Sequence, residues 1–147
     1  MLGVRLPFRI ALIALIAWIV IPYKSIDQTL DLYYGPFNNR VIKRCGNKYV
    51  SNKHVIKFSK LTRPTIGVCS TILGGFMIEI DSAFWDIANE DDKYNVMTHE
   101  LTHCVLGENH SVTDYPHYMN DTLHELSQDV VNKQLDEIIE RKCKDGK

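Results

Sequence analysis

The chain has 147 residues, 45% of them apolar, with 17 basic against 18 acidic side chains and a net charge of −1. That balance gives no electrostatic case for nucleic acid, whose binding needs Lys and Arg concentrated against phosphate. The length suits one domain of about 120 residues behind an apolar leader, enough for a modest core that cross-links would help.

Residues 1–24 read as a membrane-directed segment. Arg5 and Arg9 precede the uncharged run Ile10 to Ile21, and Pro22 and Tyr23 follow. That run has the length of a signal-peptide core, whereas a spanning helix needs about 20 apolar residues. Counting from Leu6 to Tyr23 lengthens it, with Arg9 near enough to the end to snorkel. Ile19-Val20-Ile21-Pro22-Tyr23-Lys24 offers no small residues for a cleavage site, so an uncleaved signal anchor is expected over a cleaved signal. Positive charge ahead of it keeps the N-terminus inside and puts residues 25–147 outside the cytoplasm, periplasmic or extracellular. Cleavage would make the protein secreted.

Residues 25–47 read as a connector and 48–147 as the folded domain. In the connector, Gln28 to Tyr34 suits a short helix, and Gly35-Pro36 and Asn38-Asn39 mark turns. Val55 to Leu61 alternates like a strand, with Ile56 and Phe58 on one face. Thr65 to Thr71 is a second extended run, where Pro64 and Gly67 imply an edge or a bulge. Gly74-Gly75 turns the chain into Phe76 to Asp81, the clearest strand, with Phe76, Ile78 and Ile80 toward the core. Ser82 to Ala88 follows as a helical turn carrying the core aromatics Phe84 and Trp85.

Residues 92–106 then predict a helix, capped by Asp91 or Asp92 and ended by Gly107 in a left-handed conformation. Tyr94, Met97, Leu101, Cys104 and Val105 give it an apolar face. His99 and His103 stand at i and i+4 on one face, with Glu100 one position round. Two imidazoles so spaced can bind zinc while the carboxylate acts on the metal's water. A catalytic zinc takes three protein ligands, and a chain turning back after Gly107 brings His110 toward the metal. His117 is the rival donor.

The string His99-Glu100-x-x-His103-x-x-x-Gly107-x-x-His110, followed by Met119, resembles the metzincin metallopeptidases, with the turn before the third histidine one residue longer. Residues 66–120 are more similar still to a group of small metallopeptidase-like proteins of bacteria and their phages, which carry glycine where Thr102 stands. The resemblance implies an α+β domain of metzincin (zincin) type, with a short mixed or antiparallel sheet, an active-site helix and a C-terminal helix. It implies Zn2+ held by His99, His103 and His110, Glu100 as the catalytic base, and Met119 as an apolar floor beneath the metal. It also implies a protein or peptide substrate bound as an extra strand along a sheet edge, for which Ile66 to Ser70 and Phe76 to Asp81 both qualify.

Tyr115 and Tyr118 are candidates for a phenol that stabilises an oxyanion. Glu125 also follows the second histidine, but Thr122-x-x-Glu125 is a capping box that explains it without metal. The helix it opens has Leu123, Leu126, Val130, Leu135 and Ile138 as its buried stripe through Lys142; His124 reads as a surface residue. Four cysteines in an outward-facing domain favour two disulfides, and Cys69 with Cys104 and Cys45 with Cys143 are the pairs expected. Two functional classes follow. One is a membrane-anchored zinc endopeptidase acting on proteins, peptides or peptidoglycan peptides; the other is a non-enzymatic zinc-containing binding module of the cell envelope.

Overall fold

A computed structural model describes residues 23–111 and 116–144. Its elements are β1 (Tyr23–Ile26), α1 (Gln28–Cys45), a short 3-10 turn (Gly46–Tyr49), β2 (Lys53–Ser59), β3 (Gly67–Ile72), β4 (Gly75–Asp81), α2 (Ser82–Ile87), α3 (Glu90–Leu106) and α4 (Gln128–Lys144). The architecture is α+β. The sheet is mixed, in the order β1-β2-β4-β3, with β1, β2 and β4 parallel and β3 antiparallel to β4.

Register puts Ile26, Ile56, Ile78 and Cys69 in one row across the sheet. With Phe76 and Ile80 these side chains face the helices, and Ile56, Phe76, Ile78 and Ile80 are buried as their alternation predicts. The opposite face is polar: Glu79 pairs with Lys57 at 3.1 Å and accepts from the Ser59 hydroxyl at 2.7 Å.

Helix α1 is the largest departure from expectation. It runs for 18 residues straight through Gly35-Pro36 and Asn38-Asn39, where turns were expected, and the segment read as a connector supplies Leu30, Tyr34, Phe37 and Val41 to the core. A proline inside a helix costs about 3 kcal/mol. Burying four large apolar side chains at roughly 1.5–3 kcal/mol each outweighs that.

The last helix also differs. Residues 122–127 are non-helical and α4 opens at Gln128, so Thr122 and Glu125 form no capping box. The cause is Asn95, buried on α3, whose side-chain amide donates to the carbonyls of His124 and Leu126 at 3.2 and 3.0 Å and holds this stretch extended. The buried stripe becomes Val131, Leu135, Ile138 and Ile139, while Leu123 and Val130 are exposed.

Residues 1–22 of the expected membrane segment lie outside the described residues, and Tyr23 and Lys24 already belong to β1. Among the described residues no helix is long and apolar enough to cross a membrane.

Two disulfides join the layers. Cys45–Cys143 ties the end of α1 to the end of α4, and Cys69–Cys104 ties β3 to α3. The first closes a separation of 98 residues and the second one of 35. On loop-closure entropy, replacing both cysteines of the first pair by serine should cost about 4.7 kcal/mol, and of the second about 3.8 kcal/mol. Urea unfolding of the two double variants checks that order.

Candidate metal centre

Helix α3 carries two of the three histidines. It starts two residues earlier than the sequence suggested, because Asn89 caps it: the Asn89 side chain accepts from the Asp92 N–H at 2.8 Å and donates to the Asp92 carboxylate at 2.9 Å. Val96, Met97, Leu101, Val105 and Leu106 are buried, and Tyr94 and Cys104 pack beside them. The helix ends at Gly107 with φ 61° and ψ 35°. There the Gly107 N–H bonds the His103 carbonyl at 3.1 Å and the Glu108 N–H reaches that of Thr102 at 3.4 Å.

This turn brings His110 back over the helix. The Nε2 atoms of His99 and His110 are 3.1 Å apart, and those of His103 and His99 are 2.9 Å apart. Each ring is fixed through its other nitrogen. His99 Nδ1 donates to the Tyr118 carbonyl at 2.6 Å, His103 Nδ1 donates to the Glu108 carbonyl at 2.5 Å, and His110 Nδ1 pairs with the Asp121 carboxylate. With the Nδ1 protons so placed, His99 and His103 turn bare Nε2 lone pairs inward, and His110 Nε2 meets them at the same point. Such lone pairs repel one another unless a cation lies between them, and the donor set is one that could hold a metal ion. Burial lowers the pKa of His99 to about 4 and lowers that of His103, which keeps both rings in the neutral form that a metal needs.

Glu100 is buried beside the triad, and desolvation raises its pKa to about 7 against the pull of a hydrogen bond from the Cys69 backbone. It lies under β3, so close that a Cβ on Gly67 would stand 2.8 Å from Glu100 Oε1 and 2.9 Å from its Cγ. Clefts open on both sides. One of about 590 Å³ includes Ile66, Phe84, Val96 and Leu123 with His99 and Glu100. The other, of about 410 Å³, includes Val68, Cys69, Asn109 and His103.

The remaining candidates fall elsewhere. His117 stacks on Tyr118, and its Nδ1 accepts from the Met119 N–H at 3.1 Å. His124 contacts Asn120, and Glu125 is exposed. The Tyr118 hydroxyl is 3.1 Å from that of Thr102, which is wholly buried and itself donates to the Thr98 carbonyl, so this phenol is engaged inside the helix packing. Tyr115 lies outside the described residues. Met119 is fully buried, and its carbonyl accepts from the Ser111 N–H at 2.7 Å, joining the two arms of the loop.

A family model described as "Putative phage metallopeptidase" matches residues 38–139, more than half of the chain. The chain belongs to that family. Neither the curated proteins nor the solved structures returned a match. The family's description points to a metallopeptidase, and among the described residues His99, His103 and His110 form a group that could hold a metal ion.

Sequence reasoning read Gly67 only as the sign of an edge or a bulge, and it passed over Asp121 and the carbonyls of Glu108 and Tyr118. Gly67 opens the edge strand β3, and a glycine in a strand also marks close approach of another group. Gly67→Ala should destabilise the protein by about 1–3 kcal/mol through overpacking against Glu100. Gly35→Ala, inside α1 with nothing within 4 Å of the added carbon, should instead stabilise by roughly 0.5–1 kcal/mol. Thermal denaturation of the two variants side by side makes the comparison.

Proposed function

We propose that this protein is a membrane-anchored zinc endopeptidase of metzincin type that hydrolyses peptide bonds in proteins or peptides outside the cytoplasm. The observation that carries the reading is the buried carboxylate of Glu100 beside three converging imidazoles. A purely structural zinc site has no use for a buried carboxylate without a charged partner, and folding would be easier without it. The metzincin assignment rests on the Gly107 turn that delivers His110, and on buried Met119 in the loop that also orients His99. Anchoring and location rest on the charged lead-in and apolar run of residues 1–24.

His99, His103 and His110 would hold the metal, and a set of three imidazole donors suits zinc. When bound, zinc supplies a Lewis acid that brings the pKa of a coordinated water toward about 7 and polarises the scissile carbonyl. The chain's own residues supply the rest. Glu100 accepts the proton of the attacking water and passes it to the leaving amine, a role suited to a carboxylate whose burial favours the protonated form. The Tyr118 and Glu108 carbonyls keep the His99 and His103 rings turned inward.

Substrate binding follows from the sheet. β4 is interior, between β2 and β3, so β3 is the edge that borders both clefts. An extended peptide pairing with Gly67–Cys69 would run across the triad and depend on main-chain hydrogen bonds, which tolerate many sequences. The larger cleft, with Ile66, Phe84, Val96 and Leu123 in its walls, fits a bulky apolar side chain next to the scissile bond.

The test is zinc content and hydrolysis of an unfolded protein by the wild type, Glu100→Gln and His110→Ala. Glu100→Gln should keep about one zinc per chain and lose roughly 10²–10⁴-fold in rate. His110→Ala should lose or loosen the metal. Undiminished hydrolysis by Glu100→Gln would sink the proposal.

A further inference from the structure

The three histidines are not held alike. His99 and His103 are oriented by main-chain carbonyls, which no substitution removes, whereas His110 is oriented by a side chain. That side chain, Asp121, is set opposite His110 by the loop itself. The Ser111 N–H bonds the Met119 carbonyl at 2.7 Å, which places the residue after His110 two positions from Asp121 on the facing arm. The same short segment therefore orients two rings, His99 through the carbonyl of Tyr118 and His110 through Asp121.

We infer that Asp121 is a positioning residue of the metal centre, a carboxylate that fixes the ring and tautomer of His110 and raises its strength as a ligand. The inference rests on the zinc-site reading above. Its physical basis is general: a carboxylate on Nδ1 leaves the Nε2 lone pair free, and its negative charge makes the imidazole a better donor to a cation. Charge matters here because imidazole ligands carry no negative charge of their own, so a nearby carboxylate helps to offset the two positive charges of a divalent ion. Asp121 is 78% exposed and His110 is 49% exposed, so this ligand sits at the mouth of the site while His99 and His103 sit deeper. Water competes for an exposed ring, and a tethered carboxylate keeps that ring from turning away.

The experiment is competition for Zn2+ against a chromogenic chelator, using the metal-free full chain as wild type, Asp121→Asn, Asp121→Glu, His110→Ala and the distant control Asp129→Asn. Asp121→Asn should bind zinc about 10–100-fold more weakly. Asp121→Glu should recover part of the loss, and Asp129→Asn should match the wild type. At saturating Co2+ the visible spectrum of Asp121→Asn should keep its wild-type intensity, because the coordinating atoms are unchanged. The thermal midpoint of the metal-free protein should not move either, whereas a general brace for the loop would lower it. Zinc bound equally by wild type and Asp121→Asn but lost in His110→Ala would remove Asp121 and leave the peptidase reading standing. Failure of the wild type itself to bind zinc would overturn both.

Discussion

Three imidazoles can share one cation only if each turns an unprotonated nitrogen inward, and that requires an acceptor behind every ring to take the proton on the other side. The structure meets this requirement with groups outside the helix that carries the first two histidines: the carbonyls of Glu108 and Tyr118 and the carboxylate of Asp121. Residues 107–111 and 116–121 are thus the second half of the metal centre, and much of the fold acts to hold them. Arg141 and Lys142 at the end of α4 grip the Glu108 carboxylate at 2.9 and 3.1 Å, and Lys142 also reaches the Gly107 carbonyl. Partial burial opposes ionisation of Glu108, but these two cations outweigh it and hold its pKa below the ordinary range. Cys143, next to Lys142, is bound to Cys45 at the end of α1, so helices far from the histidines in sequence fix the turn that orients one of them.

The other wall of the site depends on a different constraint, the distance between the edge strand and the active helix. Cys69 donates a backbone hydrogen bond to Glu100 while its sulfur is joined to Cys104, one turn further along α3. Gly67 has no side chain, and the Glu100 carboxylate fills the space one would take. The strand can therefore lie directly over the carboxylate, dry enough to favour its protonated form. A side chain at position 67 would force the Glu100 carboxylate or the strand to shift.

What the sequence made legible was local and chemical. His99, Glu100 and His103 follow from helical spacing, His110 from a glycine that stops the helix, and the core strand from the alternation of Phe76, Ile78 and Ile80. Where local signals competed with packing, packing won. Gly35-Pro36 reads as a turn, yet the stripe Leu30, Tyr34, Phe37 and Val41 carries α1 through it. Thr122-x-x-Glu125 reads as a helix start, yet the side chain of Asn95, nearly thirty residues away, takes the carbonyls of His124 and Leu126 and keeps that segment extended. Main-chain acceptors such as those of Glu108 and Tyr118 have no sequence signature at all, because any residue type can supply a carbonyl.

The placement of charge separates the two halves of the centre. Among the described residues around the histidines, Asp121 is exposed at the mouth and Glu108 is paired between Arg141 and Lys142. Glu100 is buried, with a backbone N–H from Cys69 to favour its ionised form. Desolvation acts against the charged form of a carboxylate so placed, and a fold selected only for stability would fill the space with an apolar side chain. A metal ion beside it would offset that penalty, since a nearby positive charge favours the ionised carboxylate. The arrangement is therefore consistent only as a pair: lone pairs that repel without a cation, and a carboxylate that is costly without one, brought to the same few ångströms by one turn of helix.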